Sequence, residues 1–283
     1  MRAAMLFSIF AGFSACCSAQ SAATKIKVAC IGNSITEGNM GPSYVPKLQS
    51  LLGSGYTVEN DGISGTTMLK KGDNPYWKNG KLGQVFSLKP NIVTIKLGTN
   101  DTKPQNWDSH KDEFKKDYLA MVDTLTTLPT KPAIYLVLPA PIFSNPFNIR
   151  DSALKKIIVI IKEIAGERSL PIIDVNTPLL GLPNCFIDGV HPSDAGADTI
   201  ARVIYRRLTA ATGVTSIKKE PSFRATGGCR IQARAVLPFN GLHDTPAALC
   251  DPAGRSLKAR QSNGDDMQSS AIYFSRPSKL NRE

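Results

Sequence analysis

Residues 28–38 read VACIGNSITEG: the apolar run Val28-Ala-Cys-Ile31 stops at Gly32 and delivers Ser34 two positions later. A buried strand that ends in Gly-Asn-Ser leaves the serine at the rim of a sheet, where its hydroxyl faces a crevice. The same position suits a helix N-cap, whose oxygen accepts a backbone N–H. Whether Ser34 is a nucleophile or a cap depends on what else reaches that rim.

Outward from this stretch, apolar runs alternate with helical patterns. Strands are expected at residues 25–31, 56–60, 91–97, 133–138 and 171–175, and helices at 44–52, 111–125 and 151–165. The last helix should run through Leu208, with Ser193 as its N-cap. Residues 91–97, NIVTIKL, are β-branched and nearly all apolar, as a central strand covered on both faces should be. This β-α alternation predicts a three-layer α/β/α fold with a flavodoxin-like parallel sheet of five strands. Ligands of such sheets bind beyond the carboxyl ends of the strands.

The chain has 283 residues, 42% of them hydrophobic, enough for one large domain and a small one. Residues 1–24 stand apart. Arg2 is followed by an apolar run over residues 3–15 and by small residues up to Gln20, the pattern of a secretory signal peptide cleaved after Ala19. Phe13-Ser-Ala-Cys16 also loosely resembles a lipobox, which would make Cys16 a lipid-anchored N-terminus. Either way a location outside the cytoplasm, secreted or periplasmic, is expected. No segment has the ~18 uncharged apolar residues of a transmembrane helix.

Residues 25–213 are read as a catalytic domain, 214–222 as a linker and 223–283 as a small β-rich module. The last 70 residues carry 11 Lys/Arg against 6 Asp/Glu, within a formal charge of +11 for the whole chain. That surface suits contact with an acidic polysaccharide or the cell envelope. No basic run with interleaved aromatics points to nucleic acid. With the leader removed, Cys30, Cys185, Cys229 and Cys250 remain, and Cys229–Cys250 is the favoured bridge. Zinc is disfavoured, because no Cys-x-x-Cys or His cluster accompanies them. No metal or other cofactor is expected.

Four stretches fall at expected strand ends or before the last helix: Gly32-Asn-Ser-Ile-Thr36, Asp61-Gly-Ile-Ser-Gly-Thr66, Gly98-Thr-Asn-Asp101 and Asp188-Gly-Val-His-Pro192. Ester hydrolysis needs a nucleophile, a base, a group that orients the base, and donors for an oxyanion. His191, one of three histidines, alone sits three residues after a carboxylate in a glycine-containing loop. Asp188 can hold one ring nitrogen, leaving the other for Ser34. The backbone N–H groups of Ser34 and Gly65 and the side-chain amide of Asn100 are candidate oxyanion donors. Each residue alone has a bland reading as cap, turn or loop residue; their joint occurrence in this order favours catalysis.

On these residues the sequence resembles the SGNH, or GDSL-type, esterase and lipase superfamily. Ser34 in GNSIT, Gly65 in GISGTT, Asn100 in GTND and His191 in DGVHP match its four blocks, over residues 25 to about 210. The resemblance implies a triad of Ser34, Asp188 and His191. One departure is Asn33 where the name-giving block has Asp. The Gly-x-Ser-x-Gly elbow of α/β-hydrolases is absent, because residue 36 is Thr. Neither Gly-x-Gly-x-x-Gly nor Gly-Lys-Ser/Thr can be read at Gly32–Gly38, so no dinucleotide or P-loop site is expected.

The run GTNDTKPQNW at 98–107 looks like secreted bacterial carbohydrate esterases, with Trp107 and Trp77 as candidate platforms for a sugar face. The expected function is a secreted serine esterase that removes acetyl groups from carbohydrate. A lipase, lysophospholipase or arylesterase of the same superfamily, and a silent glycan-binding protein, are the alternatives.

Overall fold

The computed structural model describes residues 24–211. The expected leader and lipobox, the linker from 214, the C-terminal module and the Cys229–Cys250 bridge lie outside these residues. Among the described cysteines, Cys30 is free and buried and Cys185 is disulfide-bonded. No helix among the described residues is long and apolar enough to cross a membrane.

Five strands form one sheet: β1 (Ile26–Gly32), β2 (Tyr56–Gly62), β3 (Ile92–Lys96), β4 (Ala133–Val137) and β5 (Ile172–Ile173). All neighbours are parallel and the order is β2-β1-β3-β4-β5, the flavodoxin-like order expected. The helices are α1 (Ser34–Glu37), α2 (Val45–Leu52), α3 (Lys81–Leu88), α4 (Pro104–His110), α5 (Phe114–Thr126), α6 (Asp151–Glu167) and α7 (Asp194–Ala211).

Strand residues alternate between two cores. Ala29, Ile31, Val93, Ile95, Ile134 and Leu136 pack with Phe114, Tyr118, Ile157 and Ile161 on one face. Val28, Cys30, Ile92, Tyr135 and Val137 pack with Leu48, Ile200 and Ile204 on the other. Each such fully buried aliphatic side chain contributes on the order of 1.5–3 kcal/mol relative to exposure. Both faces of β1 and β3 are therefore covered, which is why their sequences read as apolar runs. The chain order reverses between β1 and β3, and it is there, past their carboxyl ends, that Ser34 and Asn100 emerge.

Lys96 breaks the apolar pattern of β3. It is 1% exposed, and its Nζ has no partner among the described residues. Burial pulls the ammonium down to about 7. Below that pH the folded protein holds an unpaired buried charge. Between it and the ordinary lysine range, the folded state is neutral while the unfolded chain stays protonated, so stability rises with pH. Lys96→Met should therefore raise the unfolding free energy at pH 6 by about 1–3 kcal/mol, with the gain shrinking at pH 9. Urea titrations of both proteins at the two pH values measure it, and an equal effect at both would refute the charge as its cause.

Candidate active site

The hydroxyl of Ser34 is not a helix cap. Asn33, in extended geometry, is the N-cap of α1, and its Oδ1 accepts the Ile35 N–H at 3.1 Å. That leaves the Ser34 hydroxyl free to point elsewhere, and its Oγ lies 2.9 Å from His191 Nε2. As the first helical residue, Ser34 has no intrahelical acceptor for its own N–H.

His191 comes from a tight loop closed by the Ile187 N–H bond to the His191 carbonyl and by a bridge between Phe186 and Pro192. Within it, His191 Nδ1 lies 2.7 Å from Asp188 Oδ2, while Asp188 Oδ1 accepts the N–H groups of Val190 and His191. With Nδ1–H given to the carboxylate, Nε2 is left as the acceptor for the Ser34 proton. Burial acts to raise the Asp188 pKa, but the hydrogen bonds from His191 and Val190 outweigh it and hold the carboxyl below its ordinary range. It stays ionised wherever the imidazole works.

The candidate oxyanion donors sit on a loop stitched to this group. Ile63 N–H donates to the Gly32 carbonyl, and Ser64 N–H donates to Glu37 Oε2 at 2.8 Å. Gly65 is the third residue of the turn from Ile63 to Thr66, with φ of 74°. A methyl group there would meet only Asn74 Nδ2 at 3.4 Å, so it is the left-handed backbone, more than space, that calls for glycine. Asn100 uses one amide hydrogen on the Thr66 carbonyl at 3.1 Å, and its second is left for a ligand.

Several residues take supporting roles that the sequence reading did not assign. Asp101, fully buried, accepts the N–H groups of Met68 and Leu69, and burial pushes its carboxyl up to about 7. Asp117 accepts the Lys70 N–H. Asn106 donates to the Asn100 carbonyl. These contacts hold the segment after Gly65 and the Asn100 turn in one register.

The two tryptophans do not take the place expected of them. Trp107 is 6% exposed and packs edge-on against Phe114, so it belongs to the core and offers no face to a sugar. Pro104 starts the short helix α4, whose turn points Trp107 inward. Trp77 is half-buried; its Nε1 donates to the Met68 carbonyl and Lys70 Nζ lies 4.1 Å from the ring centroid, covering it. Among the described residues, no group of three or more His, Cys, Asp or Glu is placed to hold a metal.

A hydroxyl, imidazole and carboxylate in hydrogen-bonded series, at the carboxyl end of a parallel sheet and beside amide donors, is equipped for acyl transfer, and the class it defines is that of the acyl hydrolases. Residues 30–199 match the GDSL-like lipase/acylhydrolase family, and the chain belongs to it. Over 203 residues it is 38% identical to the acetylxylan esterase of Xylanibacter ruminicola, an alignment that covers 63% of this chain and 42% of that protein. The chain thus spans less than half the length of that relative. Among solved structures it is similar to an acetylxylan esterase from Geobacillus stearothermophilus (TM-score 0.53, 27% identity, 65% of this chain and 94% of the other). It also shares its fold with a carbohydrate acetylesterase from Sinorhizobium meliloti (TM-score 0.51, 21% identity, 66% and 100%) and an aryl esterase from M. smegmatis (TM-score 0.53, 18% identity, 65% and 99%).

Replacing Asn100 by alanine removes one candidate donor while leaving the nucleophile in place. kcat should fall by roughly 10²- to 10³-fold with KM little changed. Steady-state kinetics on a soluble acetate ester separates this from a binding role, which would raise KM alone.

Proposed function

We propose that the protein is a serine esterase that removes acetyl groups from carbohydrate outside the cytoplasm. The observation that carries the chemistry is the series Ser34 Oγ, His191 Nε2, His191 Nδ1 and Asp188 Oδ2, with separations of 2.9 and 2.7 Å. His191 takes the Ser34 proton as Oγ attacks the ester carbonyl, and the resulting oxyanion is met by Ser34 N–H, Gly65 N–H and Asn100 Nδ2. Collapse breaks the ester C–O bond, and His191 gives its proton to the departing alcohol oxygen. Water, activated by the same imidazole, then releases acetate from Ser34.

The carbohydrate substrate is supported by similarity to the Xylanibacter ruminicola acetylxylan esterase. The extracellular location rests on the signal-peptide pattern of the first residues. A side-by-side assay on acetylated xylan, acetylated sialic acid and p-nitrophenyl esters of rising chain length tests the reading. Highest kcat/KM on acetylated sugar, and a fall beyond acetate among the p-nitrophenyl esters, are expected. A preference for long acyl chains would make the protein a lipase instead.

The pH dependence has a defined sign. A depressed carboxylate keeps its contacts until the pH falls through its lowered pKa, so Asp188 stays ionised and goes on orienting the imidazole as the pH falls. kcat/KM should therefore decline towards acid through loss of the neutral imidazole. A profile without an acid limb would refute His191 as base.

A further inference from the structure

Ile187 (58% exposed) and Met40 (42%) are two of the most exposed large hydrophobic side chains among the described residues; Ile187 N–H donates to the His191 carbonyl, and Met40 lies on the segment that passes His191 at Gly41. Gly41 links them: a methyl group built there would lie 3.1 Å from Ile187 Cδ1 and 3.5 Å from His191 Cβ, and Met40 is the preceding residue. Phe147 completes the rim. Its ring stands edge-on to the His191 imidazole, with centroids 5.2 Å apart and planes at 89°.

Phe147 is not on a loose loop. Asn145 Oδ1 accepts the N–H groups of Phe147 and Ile149, and its Nδ2 donates to the carbonyls of Phe143 and Ile149. Phe143 N–H in turn donates to the Gly189 carbonyl at 2.8 Å, and Phe143 packs on Phe186. Gly189 has φ of 83°, and a Cβ there would lie 2.0 Å from the Ser144 carbonyl oxygen. The two loops therefore fit only with glycine at 189, and the loop that presents Phe147 is clamped to the loop that presents Asp188 and His191.

The direction of proton transfer says what this rim touches. The acyl oxygen must face the donors at Ser34, Gly65 and Asn100, whereas the alcohol oxygen must lie against His191 Nε2 to receive the proton when its bond to carbon breaks. Groups around the imidazole thus contact the alcohol half of the ester. We propose that Phe147, Ile187 and Met40 form the leaving-alcohol subsite and take the C–H face of a pyranose ring. An aromatic ring and two aliphatic side chains match the apolar face of a sugar. The adjacent Asn39, exposed beside Met40 and bound to the Ser64 hydroxyl, supplies an amide for ring hydroxyls. The choice of a sugar rests on the function proposed above; the assignment of the rim to the alcohol half rests on geometry.

The test uses Phe147→Ala, Ile187→Ser and Met40→Ser in the full chain, the last two at exposed positions where folding is not at stake. Three acetates are compared by kcat/KM: acetylated methyl xyloside, cyclohexyl acetate and methyl acetate. Acyl choice is read separately, from p-nitrophenyl acetate against propionate. The ratio of ring-alcohol acetates to methyl acetate should fall about tenfold in Phe147→Ala and severalfold in the others, while the acetate-to-propionate ratio stays within twofold. A shift in the acyl ratio instead, or an equal loss on all three acetates, overturns the subsite; the latter would mean that Phe147 only steadies the imidazole. If the wild type does not prefer the xyloside to cyclohexyl acetate, the carbohydrate reading fails. The cyclohexyl-to-methyl ratio then still decides whether the rim holds the alcohol.

Discussion

Ser34→Ala should lower kcat by on the order of 10⁴-fold or more, with unfolding free energy changed by less than about 1 kcal/mol. The two halves of this expectation have separate causes. In the proposed mechanism Oγ, 2.9 Å from His191 Nε2, is the atom that attacks, and alanine offers no substitute. Stability survives because the helix start is capped by Asn33, not by Ser34. Turnover of p-nitrophenyl acetate together with a urea titration measures both. A variant that retains more than a few per cent of wild-type kcat, or one that unfolds, contradicts the assignment.

Asp188→Asn should be nearly as damaging, with kcat down by about 10⁴-fold. The Asp188 Oδ1 position is held by the N–H groups of Val190 and His191, so an asparagine there must keep its oxygen on that side. Its NH₂ would then face His191 Nδ1, which has to accept, placing the ring proton on Nε2. In that tautomer the imidazole cannot take the Ser34 proton. KM should change little, since both Asp188 oxygens are engaged by Val190 and His191. A loss below tenfold would show that the carboxylate is not needed to orient the base.

Much of the fold was legible because β1 and β3 are buried on both faces and carry nearly continuous apolar runs, and because long amphipathic helices such as α6 repeat every three to four residues. The four site stretches were legible for a different reason: each ends a strand or begins a helix, where the fold itself directs them to one rim. Local chemistry moved the boundaries. The strand expected at 171–175 is only Ile172–Ile173, because Pro171 has no N–H to donate and Asp174 Oδ1 turns the chain by accepting from Asn176 and Thr177. α5 begins at Phe114, after a tight turn over Lys111–Glu113.

The tryptophans misled because a large aromatic beside a motif signals burial as readily as binding, and only the turn set by Pro104 decides which way Trp107 faces. Phe147 was overlooked for the opposite reason. It lies in no motif, and what places it beside His191 is a local Asn145-centred turn together with the clamp at Gly189, a contact between segments more than 40 residues apart in sequence. Lys96 illustrates a third limit, for a charged residue at the end of a strand ordinarily reaches solvent, and only the packing against both layers reveals that this one does not.

In the proposed mechanism Ser34 Oγ is acylated in each turnover. Treatment with diethyl p-nitrophenyl phosphate, followed by intact-mass and peptide mass spectrometry, tests it most directly, since a phosphorylated serine mimics the tetrahedral intermediate and is released slowly. One diethylphosphoryl group per chain is expected, located on Ser34, with activity lost in proportion to labelling and no labelling of Ser34→Ala. Full activity after stoichiometric modification of Ser34, or inactivation with the label on another residue, would contradict it.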